Sequence, residues 1–353
     1  MTQDNELLVR KDGRAGRLTM NRPKALNALT YDMVGQIDAA LSAWQDDPTI
    51  ELIVLDGAGD RGLCAGGDVR SLYDSRAEGS TFARRFWRDE YRLNASISRY
   101  PKPFVSLMDG IVMGGGIGLS AHSSHRIVTE RSQLAMPETG IGLIPDVGGT
   151  WLLARAPGSV GEYLGLTGER MTASDAIFAG FADVLVSTAR LPVLVEQICK
   201  AGAGPVEEAI RAFANPPGPS VLHERRSAID EIFSAPDVEA IMSRLDSSGH
   251  DWAVKTAAAL RSKSPKALKI TLAAVRNARG LSNLEQALDV EYRLVSRLFE
   301  DGEFVEGVRA LLVDKDKAPK WTPPSLADVK SGLVAAYMSP LPAGEELGLG
   351  SAS

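Results

Sequence analysis

Three consecutive glycines, Gly114-Gly115-Gly116, follow the apolar run Phe104-Val105-Ser106-Leu107-Met108 and constrain this chain more than any other feature. A second glycine-rich turn, Cys64-Ala-Gly-Gly-Asp-Val-Arg70, comes earlier. Glycine turns let the backbone approach a ligand closely, so two of them can aim bare N–H groups at one point. Glu138 and Asp146 lie a little further on, in Met136-Pro-Glu-Thr-Gly-Ile-Gly-Leu-Ile-Pro-Asp-Val-Gly-Gly149. Paired N–H donors with nearby carboxylates suit chemistry on a carbonyl oxygen that gains negative charge.

The grammar around those turns is that of an α/β protein. Leu7-Leu8-Val9 and Gly16–Met20 read as a hairpin about Lys11-Asp12-Gly13, and Thr30 reads as the N-cap of a helix with Met33, Ile37, Ala40, Leu41 and Trp44 at helical spacing. Leu52–Leu55 and Phe104–Met108 are continuous apolar runs of the buried-strand kind, and short strands are expected at 127–129 and 134–136. Polar helical patterns cover about 80–98, and a further helix is expected from about Gly115 to His122. Beyond about residue 203 prolines punctuate the chain, and helical patterns then recur near 238–245, 251–261, 266–279, 284–299 and 304–312. The expected organisation is a core over 1–204 and a helical region over 205–353 that covers a cleft or builds an oligomer, with a loose tail from about 340.

Length and composition narrow the class. With 353 residues, 44% hydrophobic and 24% charged, the chain reads as a globular protein with a main core and an appended part. A net charge of −6 offers no general attraction to nucleic acid or anionic membrane. The polar, acidic N-terminus lacks a signal core, no apolar run is long enough to span a bilayer, and two distant cysteines argue against a disulfide framework or structural zinc. A cytoplasmic home is expected.

Asn21–Leu29, Cys64–Asp68 and Gly110–Leu119 together resemble the crotonase (enoyl-CoA hydratase/isomerase) superfamily, over about residues 5–200. Met136–Thr139, Ile144–Gly149, Asp89–Asn94, Glu291–Leu294 and Glu306–Trp321 resemble its 3-hydroxyisobutyryl-CoA hydrolase branch and extend the match to about residue 321. The resemblance implies a crotonase-like spiral of strand-strand-helix units with an α-helical C-terminal region, and a cleft for an acyl-CoA thioester. It implies an oxyanion hole from the N–H groups of Gly67 and Gly115. It places Arg22, Lys24, Ala25 and Leu26 along the CoA moiety, and Glu90, Gly115, Glu138 and Asp146 around the acyl group. Coenzyme A is then part of the substrate, with no separate cofactor and no metal. Trimers or hexamers are common among such proteins.

The carboxylates choose among the reactions the resemblance allows. Hydratases of this kind have two glutamates, one just after the glycine triplet and one in the later Pro-Glu step. Here the first position is Gly118, while Glu138 keeps the second and Asp146 stands where hydratases have glycine. Water addition across a double bond thus loses half its apparatus. Thioester hydrolysis needs one carboxylate to attack the carbonyl or activate water, together with an oxyanion hole. Glu138 is the candidate for that carboxylate. Asp146 is the candidate to bind a 3-hydroxyl or assist the leaving thiolate, and Glu90 to hold the acyl hydroxyl. The expected activity is release of CoA from 3-hydroxyisobutyryl-CoA in valine breakdown. The alternatives are an enoyl-CoA hydratase or isomerase, and a non-catalytic acyl-CoA-binding protein.

Other readings are weaker. Gly116-Ile-Gly-Leu-Ser-Ala121 satisfies a dinucleotide pattern, but no convincing βαβ unit surrounds it. His122 and His125 lack an evident third metal ligand, and Ser120 sits in no G-x-S-x-G elbow. Cys64 reads as packing beside the first turn.

Overall fold

The structure is a computed structural model that describes residues 5–350. Its contacts divide into two units. Unit 1 comprises Met1–Asp68, Arg92–Ala135 and Arg170–Ser220; unit 2 comprises Val69–Tyr91, Met136–Glu169 and Val221–Ser353. The division falls inside the helix Thr81–Ser98.

Unit 1 holds all ten strands found among the described residues: β1 (Leu7–Asp12), β2 (Ala15–Met20), β3 (Leu52–Gly57), β4 (Gly62–Cys64), β5 (Phe104–Met108), β6 (Ile111–Met113), β7 (His125–Val128), β8 (Gln133–Ala135), β9 (Val184–Val186) and β10 (Ala214–Asn215). β1 and β2 form the expected antiparallel hairpin, and β2, β3, β5, β7 and β9 continue it in parallel, with β10 antiparallel at the far edge. β4, β6 and β8 form a second, wholly parallel sheet. Successive strand pairs β3/β4, β5/β6 and β7/β8 therefore each give one strand to either sheet. That alternation winds the chain into the expected spiral.

The apolar runs explain the layering. β5 is buried along its whole length, as a parallel strand covered on both faces must be. One face of the large sheet presents Ala15, Leu52, Val54, Val105, Leu107 and Ile127, and the helices Leu191–Ala201 and Val206–Phe213 pack Leu194, Ile198, Val206 and Ile210 against it. The helix Tyr31–Gln45 begins where expected. The Thr30 side chain accepts from the Met33 N–H at 3.3 Å, and Met33, Ile37, Ala40 and Leu41 are buried. The sequence boundary near residue 204 falls inside unit 1, because Val206, Ala209 and Ile210 belong to the sheet's core and β10 pairs with β9.

Unit 2 is built of helices and short turns. The helices Val238–Ser247, Asp251–Arg261, Pro265–Ala278 and Leu284–Glu300 lie where periodicity predicts them. The pattern over 304–312 resolves into the helix Glu303–Val308 and a π-helical turn, Arg309–Val313. Trp87 packs edge-on to Phe299 and Phe304, at centroid distances of 5.8 and 6.1 Å. The expectation of a loose tail is corrected for residues 340–350, because arginines and an aspartate hold that segment. Arg84 pairs with Glu345, Arg293 with Glu346 at 2.9 Å, and Arg297 donates to the Pro340 carbonyl at 2.9 Å. Asp289 accepts from the N–H groups of Leu349 and Gly350 at 2.9 and 2.8 Å, and Leu341 and Leu347 are buried.

Candidate functional site

In unit 1 the two glycine turns lie against one another. A Cβ on Gly116 would stand 2.3 Å from the Cys64 carbonyl oxygen, so only glycine lets the start of the helix Gly115–Ser120 approach the first turn this closely. Gly114 and Gly66 adopt positive φ, 46° and 119°, which bends the backbone at both turns. The first turn is tied to the segment before the helix Tyr31–Gln45. Leu29 donates to Gly66 O at 2.9 Å, Asp68 N–H donates to Leu29 O at 2.8 Å, and Leu29 and Gly67 form a parallel bridge. That pairing uses the neighbours of Gly67 and leaves its own N–H without a hydrogen bond among the described residues. Gly115, at the first position of its helix, likewise has no intrahelical acceptor for its N–H. Cys64 is fully buried, with its thiol donating to Gly66 O at 3.4 Å, in keeping with packing.

The expected CoA-contacting segment divides in two. Lys24 and Ala25 are exposed on a 3₁₀ turn, Pro23–Ala25, and Leu26 follows at φ 52°. Arg22 is already committed to its own loop, contacting Glu6 at 2.9 Å, Ala28 O at 2.7 Å and Asp68 at 3.2 Å. Arg22 therefore braces the turn that carries Gly67. Asn27, which sequence reasoning missed, is buried and donates to Ala58 O and Gly62 O at 3.0 and 2.9 Å while accepting from Arg22 N–H at 2.8 Å.

In unit 2 the three candidate carboxylates are all buried: Glu90 is 3% exposed, Glu138 5% and Asp146 5%. Glu90 comes from the helix Thr81–Ser98, Glu138 opens the 3₁₀ turn Glu138–Ile141, and Asp146 precedes the helix Gly149–Arg155. Oε1 of Glu90 and Oε2 of Glu138 are buried without a hydrogen-bond partner among the described residues. Two orphaned acceptors of this kind mark a place where a ligand's donors can be received. Asp146 differs, for the Tyr91 hydroxyl donates to its Oδ2 at 2.6 Å.

Burial sets the ionisation of the group. It drives the Glu138 carboxyl well above the ordinary range, and the charge of Asp146 adds to the rise. Glu90 is raised well above its ordinary value for the same two reasons. Burial pushes Asp146 up to about 6, opposed by the Tyr91 hydrogen bond. Glu291, fully buried nearby, is pushed up to about 8 despite accepting from Thr150 and the Gly148 N–H. Lys263 is the cation that acts on Glu138; burial lowers it to about 8, against the pull of Glu138 and Glu169.

Distant segments hold the Glu138 turn in place. A Cβ on Gly142 would lie 2.4 Å from Glu303 O, and one on Gly307 would lie 2.3 Å from the Ile141 carbonyl. The helix Glu303–Val308 thus touches the turn backbone to backbone. Tyr91, Lys263 and Glu291 were not among the expected site residues. Tyr91 and Glu291 stand inside the stretches Asp89–Asn94 and Glu291–Leu294 already singled out, so a signal existed for both; Lys263 has none in the sequence. Among the described residues no group of three or more His, Cys, Asp or Glu is placed to hold a metal. No helix of the described residues is long and apolar enough to cross a membrane.

Paired glycine turns beside a spiral of split strand pairs, with buried carboxylates on later turns, define a recognisable class. The chain matches the family model for enoyl-CoA hydratase/isomerase over residues 15–338 and belongs to that family. It is 41% identical over 348 residues to the mitochondrial 3-hydroxyisobutyryl-CoA hydrolase of Xenopus tropicalis, covering 96% of this chain and 90% of that one. The corresponding protein of Homo sapiens is 40% identical over 332 residues, covering 92% and 86%. Both relatives are named mitochondrial, which does not match the cytoplasmic expectation. A solved structure described as a carnitinyl-CoA dehydratase from Mycobacterium thermoresistibile superposes with TM-score 0.93 at 46% identity, covering 98% of each chain. Another, described as an enoyl-CoA hydratase from Rhodobacter sphaeroides 2.4.1, superposes with TM-score 0.92 at 44% identity, covering 97% and 99%.

Proposed function

We propose that the protein hydrolyses a short-chain 3-hydroxyacyl-CoA thioester, with 3-hydroxyisobutyryl-CoA as the substrate and valine breakdown as the setting. The observation that carries this reading is the acid set itself: Gly118 stands at the position of a hydratase's first glutamate, and Asp146 joins Glu138 in its place. The N–H groups of Gly67 and Gly115 would hold the thioester oxygen as it becomes an oxyanion, a contribution worth roughly 100- to 1000-fold per donor. Glu138, as the carboxylate, would take a proton from a water that attacks the carbonyl carbon, or would itself attack that carbon to form an anhydride that water then hydrolyses. The carbon–sulfur bond breaks, CoA leaves as a thiolate, and the proton given up by the water passes to the thiolate. Asp146 would receive the substrate's 3-hydroxyl or assist the leaving thiolate, Glu90 would hold the acyl hydroxyl, and Arg22, Lys24, Ala25 and Leu26 would lie along the CoA moiety.

The test is release of free CoA from 3-hydroxyisobutyryl-CoA, followed with a thiol reagent. We expect turnover by catalytic amounts of protein; thiol release no faster than the blank at micromolar protein would sink the reading. A second reading, hydration or dehydration of an acyl-CoA, is favoured by the descriptions of the two solved structures above. Change in enoyl ultraviolet absorbance without thiol release, on the same panel of esters, would select it.

A further inference from the structure

The helix Leu284–Glu300 carries two adjacent residues, Glu291 and Tyr292, that the proposed chemistry does not use, and both are fully buried. The Glu291 carboxylate accepts from Gly148 N–H at 2.7 Å, from Thr150 N–H at 2.9 Å, and from the Thr150 hydroxyl. All three donors lie within four residues after Asp146. The turn that carries them is one the backbone resists. Val147 sits at φ 53° and Gly148 at φ 81°. A β-branched residue in the left-handed region persists only where its surroundings impose it.

Tyr292 reaches Asp146 through Tyr91. Its ring meets Tyr91 edge-on, at a centroid distance of 6.3 Å and an interplanar angle of 81°. Tyr91 in turn donates its hydroxyl to Asp146 Oδ2 at 2.6 Å. The backbone of the Asp146 turn is therefore held by Glu291, and its carboxylate is aimed by Tyr91, which Tyr292 supports.

We propose that Glu291 and Tyr292 are positioning residues, a two-point clamp that fixes where the Asp146 carboxylate stands for the reaction. Stability alone does not call for a carboxylate here. Burying one costs free energy that well-packed apolar side chains would not incur, and its return is a defined geometry for the donors it collects. The inference rests on the reading of Asp146 as a participant in catalysis, and it explains why these two residues sit together on one helix.

A double-mutant cycle tests it. Glu291→Gln keeps the shape but turns an NH₂ group toward backbone donors. We expect kcat for CoA release to fall about 10- to 100-fold, with a smaller change in KM, as a displaced catalytic group would produce. In an Asp146→Asn background the same change should cost less than about twofold, because a residue acting through Asp146 has nothing left to position. Equal losses in both backgrounds, or no loss in either, would overturn the clamp. Should Glu291→Gln lower the melting temperature too far for assay, Thr150→Ala removes part of the same grip and carries the same cycle. If the wild-type protein releases no CoA, the functional reading fails by itself, and amide exchange then judges the clamp. Faster exchange at Gly148 and Thr150 in Glu291→Gln supports it, and unchanged protection overturns it.

Discussion

The two units carry their candidate chemistry in different materials. In unit 1 it is main chain: the N–H groups of Gly67 and Gly115, placed by strand pairing and by glycines that tolerate close approach. In unit 2 it is side chain: Glu90, Glu138 and Asp146, all buried and supported in part from helices far along the sequence. A main-chain donor is neutral, has no rotamer to lose and does not titrate. A buried carboxylate is the opposite on each count, so it needs outside support and alters the pH response of the whole unit.

The first way to sharpen that contrast is to remove one group of the side-chain kind. Glu138→Gln keeps volume and burial but cannot attack or take a proton. We expect CoA release to fall by about 10²- to 10⁴-fold, with the melting temperature unchanged or raised, since burial disfavours the charged form that glutamine removes. A variant that retains more than a tenth of wild-type kcat would remove Glu138 from the chemistry. The matching change in unit 1 is Gly116→Ala. Its methyl group would meet Cys64 O at 2.3 Å and push the two turns apart. The Gly115 N–H moves with them, and we expect a loss of about 100- to 1000-fold in kcat, now accompanied by a lowered melting temperature. Normal kcat with lowered stability would show that the glycine serves packing alone.

The same contrast decides what the sequence revealed. The glycine turns were legible because their function depends on local grammar: apolar run, glycines, helix. Residues 104–116 contain nearly all of it. The strand alternation followed from the same runs, and the helices from 238 to 300 from their periodicity. Glu138 and Asp146 were legible only through motif resemblance, as were Tyr91 and Glu291 beside Asp146, while the support of Glu138 was not legible at all. Nothing about Lys263 in sequence shows that it acts on Glu138, and nothing about Gly307 shows that it touches Ile141. Such contacts join segments more than a hundred residues apart, beyond any local pattern. Nothing about Arg22 in sequence shows that it braces the turn of Gly67, with three acceptors within its own unit. The tail likewise reads as loose from its prolines and glycines, while Arg84, Arg293 and Arg297 tie it down from positions that carry no mark of that role.

A smaller effect probes the electrostatics of unit 2 directly. Glu138 must be ionised to react, and burial together with Asp146 and Glu291 raises its titration, while Lys263 opposes that rise. The acid limb of kcat/KM should therefore lie well above the ordinary glutamate range. Lys263→Met removes the opposing charge, which disfavours the Glu138 anion further. The limb should move to higher pH, by about half a unit to one unit, whereas Lys263→Arg should leave it nearly in place. Glu169, which also acts on Lys263, is a control: Glu169→Gln leaves the cation nearer Glu138 unopposed and should move the limb slightly the other way. A limb that stays fixed in Lys263→Met would break the assignment of Lys263 to Glu138.

The smallest effect concerns stability, and it separates the units most cleanly because main-chain donors contribute no pH slope. Glu90 is buried, its Oε1 lacks a partner among the described residues, and both burial and Asp146 raise its titration above that of the unfolded chain. Between the unfolded and folded values the native state holds the extra proton, so stability falls as pH rises through that window. Below the window Glu90 is protonated in both states and resembles glutamine. Above it the native protein bears a buried charge that glutamine does not. Glu90→Gln should thus have little effect on the denaturant midpoint near pH 4.5 and should stabilise the protein by about 1–3 kcal/mol near pH 8, while weakening binding of a hydroxylated acyl group. Urea titrations of both proteins at the two pH values measure the difference. An advantage that is the same at both, or that shrinks as pH rises, would mean that Glu90 is not the strained acid its burial implies, and that the pH response of unit 2 resides in Glu138, Asp146 and Glu291.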